Sequence, residues 1–197
     1  DNNQGPNTGG MGAYCPVVGD DKYQDQLDQY LKKLENALIC EKADFVGFIY
    51  SGLILTNEGL KVLEYNMRLG DPETQALLTS LENDFLEVLK YAQNKNLDKV
   101  KLKWNDKTAY CLVIATKGYP QTPIIGDEII NINELKQKYK NVDVYFANVK
   151  KKEDKLLANG GRVISLCSYY KNDIYKFANE LLFKNKYYRK DLFNVRA

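Results

Sequence analysis

The first part of the chain carries a helical hydrophobic pattern followed by an extended one. Between residues 21 and 42, apolar side chains recur every three or four positions and predict an amphipathic helix: Leu27, Tyr30, Leu31, Leu34 and Leu38. The continuous apolar run over residues 45–55 is typical of a buried strand. The turn Asn57-Glu58-Gly59 then predicts a hairpin whose second strand covers residues 61–68.

A leucine-rich helical segment over residues 73–95 follows the hairpin. Asp71 and Pro72 suit the N-cap and the first position of this helix, and Asn83-Asp84 is a point where the helix could restart. Residues 1–16 are dense in Gly, Asn and Pro, which is the composition of a loop.

The pattern changes again near residue 100, where the sequence turns to Asn, Lys and Asp. We place a domain boundary there, which gives domains over residues 1–98 and 99–197. The second domain is predicted to hold strands over 109–116, 127–131, 142–149 and 161–168, with helices over 133–140 and 172–184. Strands and helices without regular alternation predict an α+β fold.

Composition then excludes several kinds of chemistry. The 197 residues include no histidine, which removes Ser-His and Cys-His nucleophiles and His-ligated metals. A net charge of +2 gives no bulk positive field, so we expect no nucleic-acid partner. No apolar run reaches membrane-spanning length, and the four cysteines form no C-x-x-C pair, which favours a cytoplasmic protein with reduced thiols. Any catalysis would use carboxylates, amides, lysine, arginine, the backbone and a hard metal ion.

The strand over residues 61–68 places three polar side chains in alternation. Glu64, Asn66 and Arg68 would share one face, because alternate side chains of a strand point the same way. A carboxylate and an amide oxygen two residues apart suit Mg²⁺, and the neighbouring guanidinium suits a phosphate or a carboxylate. The alternative is an ordinary half-exposed strand whose polar face meets water.

A second candidate is the glycine-rich stretch over residues 5–14, which allows close backbone approach and N–H groups aimed at an anion. It fits neither the P-loop nor the dinucleotide pattern, and a flexible surface loop is the alternative. Asp71 is either an N-cap or a substrate contact. Residues 159–162 are by default a turn, with a ligand contact as the less favoured alternative, and the run Lys150–Lys155 is typical of a solvated hairpin tip.

Several segments, taken in order, resemble phosphoribosylamine–glycine ligase (glycinamide ribonucleotide synthetase), an ATP-grasp enzyme family of purine biosynthesis. The segments are GPNTGGMGAY, GFIYSGLILT, KVLEYNMRLGDPETQ, IATKGYP, NGGRVI and YYRKD. The resemblance implies the C-terminal portion of an ATP-grasp domain, an antiparallel sheet with packed helices, followed by a smaller α+β domain. The chain begins Asp1-Asn2-Asn3 without methionine, so we expect a fragment or a processed product whose partner is the N-terminal half of the same polypeptide.

The resemblance also implies roles for individual residues. Glu64 and Asn66 would bind Mg²⁺ or Mn²⁺, and Arg68 and Asp71 would be catalytic. Residues beside the phosphates and the substrate would be Asn7, Thr8, Gly9, Gly10, Arg68, Gly70 and Asp71.

The reaction that the resemblance implies joins glycine to 5-phosphoribosylamine. ATP, the co-substrate, would phosphorylate the glycine carboxylate, and the amine would attack the acyl phosphate to give glycinamide ribonucleotide, ADP and phosphate. We expect a monomer or a homodimer that is inactive without its N-terminal half. Two alternatives remain: a non-catalytic interaction partner, and another ATP-grasp ligase such as a carboxylase of the same pathway.

Overall fold

In a computed structural model, residues 6–17 and 23–184 form an α+β fold, as predicted. In chain order the elements are β1 (Gly12–Cys15), α1 (Gln24–Cys40), β2 (Tyr50–Thr56), β3 (Gly59–Asn66), α2 (Glu73–Ser80), α3 (Phe85–Gln93), β4 (Ala109–Ala115), α4 (Ile132–Lys138), β5 (Asp143–Phe146), β6 (Val149–Lys152), β7 (Lys155–Ala158), β8 (Arg162–Ser168) and α5 (Lys171–Lys184). The predicted tail YYRKDLFNVRA lies outside the described residues. None of the helices described is long and apolar enough to cross a membrane.

The chain divides into two compact units that each use separate stretches of sequence. Among the described residues, unit 1 comprises 6–16, 71–81 and 105–184, and unit 2 comprises residue 17 with 23–70 and 82–104. The segment around Asp71 therefore belongs to unit 1, although the hairpin that precedes it in the sequence belongs to unit 2.

Unit 1 is built on an antiparallel four-stranded sheet in the order β1-β4-β8-β5. Both faces of this sheet are covered. Alternate residues of the two central strands, such as Leu112 and Leu166, pack with α4 and α5 in the main core, while Cys111 and Cys167 face α2 with Ala76. Burial on two faces explains why residues 109–115 are apolar without alternation.

Three predictions in unit 1 need correction. The loop predicted over residues 1–16 contains β1, an edge strand that is specified by its pairing with β4 rather than by its glycine-rich composition. Residues 127–131 form only an isolated bridge between Glu128 and Leu157. The strand predicted over 142–149 is divided between β5, which pairs with β8, and β6, which pairs with β7. The hairpin tip predicted near Lys150–Lys155 is confirmed by the β6–β7 pair.

Unit 2 contains the predicted hairpin together with α1 and α3. The hairpin β2–β3 turns at Gly59, whose φ is +101°, and Tyr50 pairs with Asn66 at its open end. Because β3 ends at Asn66, residues 45–49 have no strand partner, and β2 is shorter than predicted. The Tyr30 hydroxyl on α1 donates to Ser51 Oγ on β2 at 2.6 Å.

The helical segment predicted over residues 73–95 is broken where the sequence suggested. α2 ends at Ser80, and Asp84 caps α3 by accepting a hydrogen bond from Leu86 N at 2.8 Å. The Phe48 and Phe85 rings lie 5.9 Å apart, which attaches α3 to the segment before β2 within unit 2.

Candidate functional site

The Arg162 side chain joins two segments that lie far apart in the sequence. Its Nη1 donates to the carbonyl oxygens of Gly10 at 3.0 Å and of Asp71 at 2.8 Å. Its Nη2 forms an ion pair with Asp71 Oδ2 at 3.1 Å, and the Arg162 side chain is only 23% exposed. One guanidinium at the start of β8 thus fixes both the glycine-rich loop and the turn before α2.

Other groups of unit 1 approach both loop glycines closely, and the approach is tightest at Gly10. A Cβ on Gly10 would lie 2.4 Å from Pro72 Cδ, and a Cβ on Gly9 would lie 3.1 Å from Arg162 Cζ. Neither glycine has a positive φ, so the conformational freedom of glycine is not what these positions require. Protein groups approach both glycines closely, and the approach of an anion to this loop stays a prediction.

Tyr119 completes this group of residues. Its hydroxyl accepts a hydrogen bond from Gly9 N at 2.9 Å. A Cβ on Gly161 would lie 2.2 Å from Tyr119 Cδ2, so the tyrosine ring rests against the glycine that precedes Arg162. We call Gly9, Gly10, Asp71, Tyr119 and Arg162 the Arg162 cluster; all five residues belong to unit 1.

Asp71 does not cap α2, which corrects one of the two predictions made for it. Pro72 occupies the N-cap position, and no side chain caps this helix. The Asp71 carboxylate instead accepts a hydrogen bond from Gln75 Nε2 at 2.9 Å and pairs with Arg162. Gln75 Oε1 is buried, and no described residue is within hydrogen-bond distance of it. Asp71 thus keeps only the predicted role at the substrate, and its side chain is 47% exposed.

Sequence reasoning missed Arg162 and Tyr119 as members of a candidate site. Arg162 lies in the stretch 159–162, which is predicted to be a turn, and Tyr119 is given no individual role by the sequence. Their partners are 91 to 152 residues away, so no local pattern signals the contacts. The sequence signals that could have found them are the resemblance segments IATKGYP and NGGRVI, which contain Tyr119 and Arg162, and the pair of glycines before Arg162, which marks a place where other groups approach the backbone closely.

The predicted metal residues lie at the open end of the β2–β3 hairpin in unit 2. Glu64 pairs across the hairpin with Gly52, and a register shift follows directly between Gly52 and Leu53. A Cβ on Gly52 would lie 3.1 Å from Glu64 Cγ, so the glycine leaves room for the glutamate side chain. Such bulges commonly redirect a side chain next to a functional site.

Arg68 lies beyond the end of β3, which corrects the expectation that it continues the strand face. β3 ends at Asn66, yet Arg68 Nη2 still reaches Asn66 Oδ1 at 3.2 Å. Arg68 Nη1 also donates to the carbonyl oxygen of Leu69 at 2.9 Å. The Asn66 Nδ2 atom is buried and meets no partner among the described residues. The structure therefore brings Asn66 and Arg68 together through a bend rather than through strand alternation.

The chemistry of these donors fits a hard cation with few protein ligands. Within the described part of the chain, no three Asp, Glu or Cys side chains are grouped to hold a metal. Glu64 and Asn66 offer one carboxylate and one amide oxygen, a set that Mg²⁺ completes with water and phosphate oxygens. An amide oxygen has two lone pairs, so Asn66 Oδ1 can keep its contact with Arg68 and still accept a second partner.

The remaining predicted residues also have defined positions. Asn7 and Thr8 are exposed at the start of the described loop, and Gly70 is buried. The predicted site residues are therefore divided between the two units, with Asn7, Thr8, Gly9, Gly10 and Asp71 in unit 1 and Glu64, Asn66, Arg68 and Gly70 in unit 2.

Two family models match this chain. The model described as "Phosphoribosylglycinamide synthetase, ATP-grasp (A) domain" matches residues 1–74, and the model described as "Phosphoribosylglycinamide synthetase, C domain" matches residues 109–193. The chain belongs to the phosphoribosylglycinamide synthetase family. The predicted resemblance is thereby confirmed.

Curated relatives of this synthetase family agree with the two matches. The phosphoribosylamine–glycine ligase of Fusobacterium nucleatum is 39% identical over 95% of this chain and 46% of its own length. That of Caldanaerobacter subterraneus is 41% identical over 96% of this chain and 46% of its own length. The trifunctional purine biosynthetic protein adenosine-3 of Gallus gallus is 36% identical over 98% of this chain and 20% of its own length. The chain therefore spans about half the length of the two bacterial ligases.

A solved structure supports the fold. The crystal structure of the phosphoribosylamine–glycine ligase of Thermotoga maritima superposes with a TM-score of 0.77 at 32% identity, covering 97% of this chain and 48% of that one.

The domain boundary predicted near residue 100 stays a prediction, because it lies between the regions that the two family models match, residues 1–74 and 109–193.

The Arg162 cluster combines residues from the regions that the two family models match. Gly9, Gly10 and Asp71 lie in the region matched by the synthetase A domain, whereas Tyr119 and Arg162 lie in the region matched by the C domain. Both matched regions thus contribute residues to one hydrogen-bonded group within unit 1.

Proposed function

We propose that this chain supplies part of an ATP-dependent ligase that joins glycine to 5-phosphoribosylamine and releases glycinamide ribonucleotide, ADP and phosphate. The observation that carries the proposal is the presence of two domains of one synthetase, in order, on one polypeptide. The rest of the enzyme would come from a polypeptide that corresponds to the other half of the bacterial relatives. The chain alone would then be inactive.

The proposed chemistry needs charge stabilisation rather than an acid–base residue such as histidine. The γ-phosphoryl group of ATP passes to the glycine carboxylate, and the amine of 5-phosphoribosylamine displaces phosphate from the acyl phosphate. Phosphoryl transfer depends mainly on positioning and on neutralising the phosphate oxygens. This requirement agrees with a chain that has no histidine and whose candidate residues are carboxylates, amides and arginines.

In unit 2, Glu64 and Asn66 are proposed to hold Mg²⁺ or Mn²⁺, which would neutralise phosphate charge when bound. Arg68 is proposed to bind the acyl phosphate or the glycine carboxylate through its guanidinium. Its contact with Asn66 Oδ1 supports this role, because the contact holds the guanidinium beside the proposed metal ligand.

In unit 1, Asn7, Thr8, Gly9 and Gly10 are proposed to contact substrate, and so are Asp71 and the neighbouring Gly70 of unit 2. Asn7 and Thr8 are exposed and can donate or accept hydrogen bonds. The Asp71 carboxylate already has two partners, which supports a role in orientation and charge rather than in proton transfer.

The decisive experiment restores the other half of the enzyme. We define the joined ligase as residues 1–197 fused to the portion of the Fusobacterium nucleatum relative that its match with this chain leaves uncovered. We expect phosphate release that requires ATP, glycine and 5-phosphoribosylamine together, with glycinamide ribonucleotide identified by mass spectrometry. Turnover that does not need glycine would support another ATP-grasp ligase. No turnover from a folded joined ligase would support a non-catalytic role.

The metal assignment has its own test. We expect the Glu64→Ala variant of the joined ligase to bind Mn²⁺ at least about tenfold more weakly in the presence of ATP, measured by electron paramagnetic resonance. Glu58→Ala is the matched control, because Glu58 is an exposed glutamate of the same hairpin that pairs with Lys61 at 2.9 Å. Equal Mn²⁺ affinity in the Glu64 variant and the wild type would refute the assignment.

A cytoplasmic location is part of the same proposal. All four cysteines are free, which agrees with a reducing compartment. Whether the ligase is a monomer or a homodimer stays open, and sedimentation of the joined ligase would decide between them.

A further inference from the structure

Arg162 connects three pieces of main chain through a single planar group. The side chain starts on β8. Its Nη1 donates to the carbonyl oxygens of Gly10 and Asp71, and its Nη2 forms an ion pair with the Asp71 carboxylate. The two carbonyls belong to the segments that carry the proposed substrate residues of unit 1. Removing the guanidinium would leave both segments without this common anchor.

We propose that Arg162 is a positioning residue, which holds the glycine loop and the Asp71 turn in the geometry that the ligase reaction requires. The inference rests on the function proposed above. Arg162 would act through its contacts with Gly10 and Asp71. The region matched by the C domain thereby controls residues of the region matched by the A domain.

The geometry calls for arginine rather than lysine. Two nitrogens of one rigid, planar group bind three oxygen atoms, which are the Gly10 and Asp71 carbonyl oxygens and Asp71 Oδ2. The guanidinium also packs against Gly9, because a Cβ added there would lie 3.1 Å from Arg162 Cζ. A lysine has a single nitrogen at the end of a flexible chain, so it could not serve the carboxylate and both carbonyls in the same arrangement.

The backbone of Arg162 is anchored independently of its side chain. Its carbonyl oxygen accepts hydrogen bonds from Asn148 Nδ2 at 2.9 Å and from Asn148 N at 3.3 Å. Arg162 also pairs with Ala115 at the end of β4, and the next residue, Val163, is fully buried in the core. Truncation of the side chain should therefore leave β8 in place and release the loop and the turn.

The test uses Arg162→Ala and Arg162→Lys in the joined ligase. We expect Arg162→Ala to lower kcat by about tenfold or more while the KM for ATP changes by less than about threefold, because displacement of reacting groups by ~1 Å can cost roughly a hundredfold in rate. Guanidinium ion at a non-denaturing concentration should restore part of the activity of Arg162→Ala, and Arg162→Lys should lie between that variant and the wild type. Arg162→Lys carries the test if the alanine variant does not fold.

Lys155→Ala is the matched control. Lys155 is a cation of the same unit that pairs with Glu128 at 2.9 Å, on the β6–β7 hairpin and outside the Arg162 cluster. We expect wild-type kinetics from it. The positioning role is overturned if Arg162→Ala keeps kcat within about twofold, or if its activity falls only in proportion to the fraction of folded protein.

A second measurement separates this inference from the proposed function. Amide hydrogen exchange of residues 1–197, without substrates, should be faster in Arg162→Ala than in Lys155→Ala for peptides that cover residues 6–12 and 70–76. If exchange in residues 1–197 is faster in Arg162→Ala while the wild-type joined ligase is inactive, Arg162 positions the loop but the ligase proposal fails. Unchanged exchange in these peptides would overturn the positioning role itself.

Discussion

Replacing Gly10 by alanine should destabilise unit 1 because of a single steric contact. The added Cβ would lie 2.4 Å from Pro72 Cδ, more than 1 Å inside the ~3.5–4.0 Å at which carbon atoms normally meet. Pro72 is fully buried, so its ring cannot swing into solvent as a long side chain could. The turn before α2 or the loop must therefore move.

Overpacking of this kind costs about 1–3 kcal/mol of unfolding free energy. A gain of about 0.4–1 kcal/mol opposes it, because alanine restricts the unfolded chain more than glycine does. Gly9→Ala is the matched control, since it shares that gain but meets only the ends of side chains, with Arg162 Cζ and Tyr119 Oη both at 3.1 Å. The difference between the two variants therefore isolates the contact with Pro72, and we expect it to be about 1–3 kcal/mol.

The measurement must report on unit 1. Trp104, the only tryptophan, belongs to unit 2, so amide hydrogen exchange of β4 and β8 is the suitable assay. A difference of 1–3 kcal/mol corresponds to exchange about 5- to 150-fold faster in Gly10→Ala than in Gly9→Ala. If the two variants agree within about 0.5 kcal/mol, the loop does not need glycine at position 10 for packing, and the reasoning is refuted.

Three further outcomes can be measured on the same chain. Cys40 is exposed, whereas Cys111 and Cys167 are buried. Burial raises the pKa of Cys15, and a hydrogen bond with Cys111 and then burial raise the pKa of Cys167. One fast-reacting thiol is therefore expected with a disulfide reagent, and Cys40→Ser should abolish it. Asp44 and Lys95 form an exposed ion pair at 2.9 Å, and this pair lowers the pKa of Asp44. The pair therefore stabilises unit 2 at a pH above the ordinary aspartate pKa, and this stabilisation is lost as the pH falls through the lowered pKa of Asp44. In Lys95→Met, a carboxylate NMR titration should show the Asp44 pKa returning towards its ordinary value. Tyr119→Phe removes the hydroxyl that accepts the Gly9 N–H, so the unfolding free energy of unit 1, measured by hydrogen exchange, should fall by about 1 kcal/mol. An unchanged unfolding free energy would contradict a stabilising role for this hydrogen bond.

Local rules of sequence predicted those parts of the fold that are decided within one segment. The helix α1, the turn at Gly59 and the cap at Asp84 follow from hydrophobic spacing, a residue with positive φ and a side-chain oxygen before a helix. Each of these features involves residues that are close in the sequence. Their prediction therefore needs no knowledge of tertiary structure.

Features that depend on distant partners were missed or misassigned. β1 is a strand only because β4 lies beside it, and the Asp71 carboxylate binds Gln75 and Arg162 instead of capping α2. In both cases the competing local preference, loop for a glycine-rich stretch and N-cap for an aspartate, was reasonable. A tertiary contact 91 residues away overrode it for Asp71.

The glycine loop shows how a tertiary contact changes a functional interpretation. Glycine-rich composition suggested backbone N–H groups aimed at an anion, but the N–H of Gly9 is already donated to Tyr119, and Gly10 is needed for its fit against Pro72. The Gly9 N–H and the absence of a side chain at Gly10 thus serve packing within unit 1, and the proposed side-chain contacts of this loop with substrate fall to the exposed Asn7 and Thr8. Substrate affinity should then be more sensitive to these two side chains than to the conformational freedom of the glycines, whose replacement acts first on the fold.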